Sequence, residues 1–317
     1  MTRGPDFTLC QIRDLVLAVE NGSIRAAALA SDCSQAAISR NISRLESQLG
    51  VELLVRSASG ISPTATGRRL AARGRLILRE CERLDEEVDL GRSGADTMVS
   101  LGVSPAAAVL LVPQAVREFG RHYPRAQLRL ATAIYENILP RLRLGEFDFA
   151  ISPIPASPLP NDLLSTFLFR SRHAIIGHSQ HPARRARSLR ELIDARWVVI
   201  GSPGQPGGSI TIAFRRLGLP DPHIVAICES LTQVFALLSE GDVVASVPRI
   251  LVERGFSGRD IREIPVAEPL PEFDVCLLRR RGAPESVPVR TMASIVASYA
   301  AILRGNPAPA GSIPAHR

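Results

Sequence analysis

No lysine occurs in the 317-residue chain; all 38 basic side chains are arginine. An arginine-only set is what a GC-rich coding sequence produces, so the net charge of +7 does not by itself identify an acidic partner. Cysteine is sparse: Cys10, Cys33, Cys81, Cys228 and Cys276 are scattered, odd in number and form no Cys-x-x-Cys pair. That argues against a disulfide framework or a zinc knuckle and reads as buried thiols, with no metal site. Also missing is any apolar run near the ~20 residues that a membrane-spanning helix needs. The amino-terminal stretch carries Asp6 and Asp14 and no continuous apolar core with a small-residue cleavage site, so it does not read as a secretory signal. A cytoplasmic protein with no membrane partner is the expectation.

What is present is an ordinary globular composition, 45% hydrophobic and 22% charged, on a chain long enough for more than one domain. The charge is unevenly placed. Up to Arg79 there are eleven arginines against six acids; from Glu80 to Leu90 six acids face Arg83 alone. A basic head followed by an acidic helical stretch suggests that the head alone meets a polyanion.

The head reads as helices. Leu9, Ile12, Leu15, Val16 and Val19 recur at helical spacing up to Asn21-Gly22, and Ser23 caps a short alanine-rich helix. A third helix begins at Ser34, with Ile38, Ile42, Leu45 and Leu49 on its buried face and Gly50 as its stop. Its other face shows Ala36, Ser39, Arg40, Ser43 and Ser47, with Arg44 beside it and Gln35 at the start. Small residues let such a helix enter a DNA major groove, where Gln35 and Arg40 can make bidentate contacts to base edges. The serines and the helix start can hold phosphate. A plain solvated face is the alternative. Two short strand-like runs then flank Ser59-Gly60 as a hairpin wing, giving a winged helix-turn-helix over 1–64.

Ala26-Ala27, Ser34-Gln35, Ser39-Arg40, Leu45-Glu46, Leu49-Gly50, Leu53-Leu54, Arg56, and Thr64 with Gly67 form a long ordered pattern. It resembles the DNA-binding head of the LysR-type transcriptional regulators, and the resemblance extends over nearly the whole chain. It implies that Gln35, Ser39 and Arg40 face bases and Arg56 the backbone, with Ser34, Ala36, Arg44 and Thr64 completing the DNA-facing set. It also implies an operator DNA partner, nucleoid association, RNA polymerase as a further partner and no cofactor. Ala36 stands where the family usually has proline, and Leu54 where phenylalanine is common. Ala58 and Ser59 occupy a wing tip that is often basic, which removes an arginine from minor-groove readout.

From Ala65 the helical pattern continues to about residue 92. Leu70, Gly74, Ile77, Cys81, Leu84 and Val88 are spaced as a heptad seam, which one helix cannot bury alone. A paired linker helix would bury it in a dimer, with a tetramer as the family's further expectation; packing on the protein's own body is the other reading. Gly91 to Thr97 reads as a hinge.

From Met98 short apolar strands alternate with helices, a rhythm that implies parallel sheets covered on both faces. One helix is expected over Pro105–His122, another from Glu136 to Leu144, and a last one near Ser286–Leu303. Residues 306–317 read as a disordered tail. The resemblance implies an effector domain over 93–305 of two periplasmic-binding-protein-like α/β subdomains, about 97–168 with 269–304 and about 169–268. A small effector would lie in the cleft between them. Apolar runs end in Ser104-Pro105, Ser152-Pro153, Ser202-Pro203 and Val247-Pro248. Proline stops each strand, Ser104 caps the next helix, and such corners would suit an anionic or polar effector at the carboxyl ends of parallel strands. Ordinary strand-to-helix corners are the alternative. Tyr135 stands where the family has an effector-contacting residue. Gly204 lies in the loop "PGQPGGSI", which can present backbone N–H groups but is no P-loop. Ser230 completes the expected effector set. Residues 227–230 and 247–249 are similar to those of regulators of aromatic-sulfonate degradation or sugar uptake. His173, His178 and His181 would need to converge to bind metal; a solvated loop is the favoured reading.

Gly102-x-Ser104-x-Ala106 also approaches the nucleophile elbow of serine hydrolases. An elbow takes an oxyanion-hole donor from the residue after the serine, and Pro105 has no N–H to give. An enzyme is therefore not expected. A solute-binding module without a transcriptional role would fit the second half of the chain but leaves the basic head unexplained.

Overall fold

The computed structural model describes residues 6–31, 33–57, 60–93, 97–132, 134–255, 258 and 260–305. The chain folds as two compact units, one of residues 1–92 with 143–146 and the other of residues 93–142 with 147–317.

The first unit contains α1 (Leu9–Asn21), α2 (Ile24–Ser31), α3 (Gln35–Leu49), an antiparallel hairpin of β1 (Leu54–Ser57) and β2 (Gly60–Pro63), and α4 (Ala65–Ser93). Thr8 starts α1 with a reciprocal cap: Gln11 N donates to its hydroxyl at 3.3 Å and Thr8 N donates to Gln11 Oε1 at 2.7 Å. Ser23 and Ser34 start the next two helices, accepting from Ala26 N and Ala37 N. Ile12, Leu15, Val16, Ala27, Ile38, Ile42, Leu45 and Leu53 are the shared core. Leu49 departs from the expected buried face of α3; one residue before the Gly50 cap, it has turned outward to 36% exposure. The two tip residues of the wing, 58 and 59, lie outside the described residues.

The heptad seam of α4 divides. Gly74 is buried against Ile12 and Val16 of α1, and Leu70 packs on the same core. The upper seam is thus consumed by the head itself. Farther along, Ile77, Leu84 and Val88 are exposed at 43%, 62% and 57%.

The second unit begins with β3 (Met98–Val103), α5 (Pro105–Leu110), α6 (Val112–His122), β4 (Gln127–Thr132), α7 (Tyr135–Arg143), β5 (Phe149–Pro153) and β6 (Leu163–Ser171). The chain then crosses into a second sheet through β7 (His173–His178). It continues with β8 (Arg196–Ile200), α8 (Ile210–Arg216), β9 (His223–Cys228), α9 (Leu231–Ser239), β10 (Val244–Pro248), α10 (Arg249–Glu253) and β11 (Ile261–Glu263). It returns to the first sheet as β12 (Phe273–Arg280) and ends in α11 (Val287–Gly305). The strand orders are β4-β3-β5-β12-β6 and β11-β7-β10-β8-β9.

The sheets are mixed rather than purely parallel. β3, β4 and β5 run parallel, as do β8, β9 and β10, but β12 is antiparallel to β5 and β6, and β7 to β10 and β11. The antiparallel strands are those that carry the chain between sheets: only Arg172 separates β6 from β7, so one extended segment leaves the first sheet and enters the second. Both faces of each sheet are covered. Val99, Leu101, Phe149 and Val275 meet α5, α6 and α11, while Ala150, Cys276 and Leu278 meet α7 on the opposite face. The second sheet is covered by α8 on one face and α9 on the other.

The expected single helix over 105–122 breaks at Leu111. Pro113 has no N–H for the helical ladder and its ring crowds the preceding turn, so α6 starts afresh with proline in its first turn. The thiols are not uniformly buried: Cys228 and Cys276 are, Cys33 and Cys81 are half-buried, and Cys10 is exposed on α1. Among the described residues no helix is long and apolar enough to cross a membrane. The expected tail, 306–317, lies outside the described residues.

Candidate DNA-reading face and effector cleft

Helix α3 is oriented by polar ties to α1. The buried Asp14 carboxylate accepts from Asn41 Nδ2 at 2.7 Å and from Arg13, and Gln11 Nε2 donates to Gln48 Oε1 at 2.9 Å. A third tie runs to the wing: Glu46 Oε1 accepts from Leu53 N at 2.8 Å and from Leu54 N at 3.1 Å. These charge-assisted bonds fix how the chain passes from α3 into β1. Of the residues that make these ties, the family pattern in the sequence included Glu46, Leu53 and Leu54; the ties of Gln11, Asp14, Asn41 and Gln48 gave no sequence signal.

With its inner face so held, α3 presents Gln35, Ala36, Arg40, Ser43, Arg44 and Ser47 to solvent, with Ser39 half-buried. Gln35, Arg40 and Arg44 make no side-chain hydrogen bond to another described residue, so their donors are free for an external acceptor. Arg56 comes to the same surface and donates from Nη2 to Ser39 Oγ at 3.1 Å. Ser34 is engaged as the N-cap. Thr64 is placed differently: its hydroxyl donates to Glu52 O and accepts from Gly67 N, both at 2.9 Å, which makes it the cap that starts α4. Gly67 has a steric reason. A Cβ there would lie 2.0 Å from Leu53 O, so the backbones of α4 and the wing meet at a distance only glycine allows.

In the second unit the carboxyl ends of β3, β4 and β5 in one sheet approach those of β8 and β10 in the other. Helix α10 packs on α5, and Glu136 at the start of α7 reaches Ser202 in the loop after β8. The expected effector residues divide within this cleft. Ser104 is 2% exposed and stands before Pro105 at the head of α5, yet its hydroxyl makes no capping bond and has no partner at all among the described residues. The expected cap is thus absent, and a buried hydroxyl is left with unused capacity. Ser152 Oγ is satisfied locally by Pro153 O at 3.0 Å. Ser230 caps α9 reciprocally with Gln233. Val247 is a buried β10 residue paired with Ala174. Gly204 N donates to Gly208 O, which closes the loop on itself. Tyr135 opens α7, half-buried.

Ser202 is held by Glu136, a residue that sequence reasoning passed over. Both carboxylate oxygens lie 3.1 Å from Ser202 N, and Oε2 accepts from Ser202 Oγ at 3.2 Å. A cavity of about 760 Å³ opens beside this cleft, walled by Pro155, Pro158, Pro206, Phe273, Arg170 and Arg216 among others; of the expected set only Gly204 lines it.

Behind the cleft runs a buried polar string. His173 Nδ1 lies 2.8 Å from Ser209 Oγ, which lies 3.4 Å from Ser246 Oγ, and the His173 ring packs on Phe273. Burial pushes the His173 imidazole down to about 4, so it is neutral at physiological pH. Ser209 is fully buried and its hydroxyl is engaged by His173 and Ser246. The other two histidines are engaged in turns: His178 Nδ1 accepts from Gln180 N and His181 Nδ1 from Ala183 N. His181 is 4% exposed rather than solvated, and burial lowers its pKa. No metal-holding group of three or more histidine, cysteine or acidic side chains occurs among the described residues.

Two family profiles match the chain: "Bacterial regulatory helix-turn-helix protein, lysR family" over residues 9–68 and "LysR substrate binding domain" over residues 92–301. The HTH-type transcriptional regulator TdcA of Escherichia coli K12 is 27% identical over 253 residues, 80% of each chain. Among solved structures, the LysR family regulator CbnR aligns with a TM-score of 0.62 at 19% identity, covering 93% of this chain and 99% of that one. Full-length CbnR complexed with its target DNA aligns at 0.60 and 19%, covering 92% and 100%.

Proposed function

The chain belongs to the LysR family of bacterial helix-turn-helix regulators and is a DNA-binding transcriptional regulator; from that premise we propose that it holds its operator as a dimer or tetramer and is switched by a small effector in the cleft. The observation that carries the DNA reading is the open face of α3, where Gln35, Arg40 and Arg44 lie exposed beside Arg56 and make no side-chain hydrogen bond to another described residue. Such side chains reach base edges and phosphates once the helix enters a major groove. Self-association is supported by Ile77, Leu84 and Val88, an apolar stripe on α4 that this chain alone leaves in water. Two heads joined through that helix read two half-sites.

The effector reading rests on Ser104 Oγ, a buried hydroxyl at the carboxyl end of β3 with no partner among the described residues. An unmade hydrogen bond in a protein interior is costly, and a polar ligand group supplies what is lacking. We read no enzymatic role: among the described residues no imidazole hydrogen-bonds Ser104 Oγ, and the next residue is a proline, which offers no N–H. The cytoplasm, at the nucleoid, is the place such a protein acts, with RNA polymerase as the machinery it influences. Selection from a randomised duplex library tests the core of this: the chain enriches a two-fold symmetric site. Enrichment of nothing above the input pool overturns it. A thermal-shift screen of small carboxylates and polar metabolites tests the effector half.

A further inference from the structure

Glu136 sits in the first turn of α7, on the subdomain built around β3, while its partner Ser202 belongs to the other subdomain. The two meet closely because residue 201 is glycine. Gly201 has φ +76°, and a Cβ on it would stand 2.7 Å from Ile134 Cδ1 and 3.0 Å from Glu136 Oε2. The loop therefore presents a backbone N–H and a hydroxyl, both from Ser202, to one carboxylate. Bonds of an ionised carboxylate to backbone N–H groups are among the stronger hydrogen bonds a protein makes. The donors care only that a carboxylate is there, not which molecule carries it.

We propose that the Gly201-Ser202 corner is a carboxylate seat of the effector cleft, that Glu136 fills it in the ligand-free protein, and that a carboxylate-bearing effector binds by displacing Glu136. This rests on the effector-cleft reading above and names the ligand's recognised group. Two consequences follow from the tether. Glu136 competes as an intramolecular ligand at an effective concentration of roughly millimolar, so it sets the threshold that an effector must exceed. Its displacement also removes a bond that joins the two subdomains, so occupation of the seat is coupled to the angle between them.

The test uses the full chain and acetate as the probe. Thermal unfolding is followed in sodium acetate and in sodium chloride at equal ionic strength. For the wild type, acetate acts beyond chloride only at concentrations above those that act on the vacated variants, because Glu136 competes for the seat. For Glu136→Ala, acetate raises Tm saturably, by roughly 3 °C at tenfold excess over its Kd. Glu136→Gln keeps an amide in the seat and follows the wild type. Glu136→Ser vacates the seat with a smaller apolar change and carries the same expectation as Glu136→Ala should that variant not fold. Adding Ser202→Ala to either removes the hydroxyl and shrinks the acetate shift. An equal acetate response in all variants, or none in the vacated ones, overturns the seat. Acetate binding in the vacated seat with an operator affinity that no small carboxylate moves refutes the effector reading and leaves the seat intact.

Discussion

Arg56 of the wing donates from Nη2 to Ser39 Oγ of α3 at 3.1 Å, so the strand and the helix present one joined polar surface. The two arginines on that surface have different expected duties. Arg40 projects from the helix face without a partner among the described residues, whereas Arg56 approaches from the side. Arg40→Ala is expected to cost about 1–3 kcal/mol of operator binding and to relax base choice at one position. Arg56→Ala is expected to weaken all sequences alike and to lower the slope of log affinity against log salt by about 1. Anisotropy titrations on an operator and its single-base variants over a salt series separate the two. An Arg40→Ala protein with unaltered sequence preference refutes the recognition-helix assignment.

Gly67→Ala tests how the head is built. A Cβ at this position falls 2.0 Å from Leu53 O, and neither backbone can retreat without opening the Thr64 cap or the wing. Overpacking of this kind costs about 1–3 kcal/mol. Hydrogen exchange is expected to quicken in α1–α3 and the wing while the amides of β3 and β12 keep their protection. Unchanged exchange in the head shows that the contact relaxes freely.

What could be read from sequence was local. The start, stop and inner face of α3 followed from Ser34, Gly50 and the spacing of Ile38, Ile42 and Leu45, all signals within one helix. The strand β6 gave no such signal. Its residues Ser165, Thr166 and Phe167 are exposed in succession, with no alternation, because the strand is specified by its pairing to β12 about a hundred residues away. Glu136 was illegible for the same reason: its meaning lies in Ser202, 66 residues on. The break at Leu111 was different, since Pro113 was there to be read and the apolar periodicity of residues 105–122 obscured it.

Leu84→Glu tests the exposed stripe of α4. Leu84 is 62% exposed, so the change costs little within one chain. In a paired helix it would place like charges against each other in an apolar seam. Sedimentation is expected to shift toward monomer at micromolar protein, with a weaker hold on a two-half-site duplex. Retention of the wild-type oligomer moves the self-association surface elsewhere.

Ser104→Ala separates a structural serine from a ligand contact. The hydroxyl is buried, unpartnered and not a cap, so its removal leaves no orphan and is expected to leave the stability of the ligand-free protein equal or slightly raised. Binding of any effector found by the thermal-shift screen is expected to weaken by about 1 kcal/mol or more, with operator affinity unchanged. Calorimetric titration of both proteins decides it; equal effector affinity removes Ser104 from the site.

His173 gives the cleft wall a pH dependence of definite sign. Burial holds its imidazole at about 4, below the ordinary ~6.5 of the unfolded chain. As pH falls, the unfolded chain takes up this proton first. The group's contribution is therefore complete above about pH 6.5, declines between 6.5 and 4, and changes no further below, about 3 kcal/mol in all. His181, lowered in the same direction by burial, adds to the same slope, so the comparison must be between variants. His173→Gln keeps a partner for Ser209 Oγ without a titrating ring. Denaturant unfolding at pH 7, 5.5 and 4.5 is expected to show a shallower loss of stability in the variant than in the wild type. Parallel losses would mean that His173 is reached by a proton without unfolding, and that the string through Ser209 to Ser246 opens to solvent in the native state.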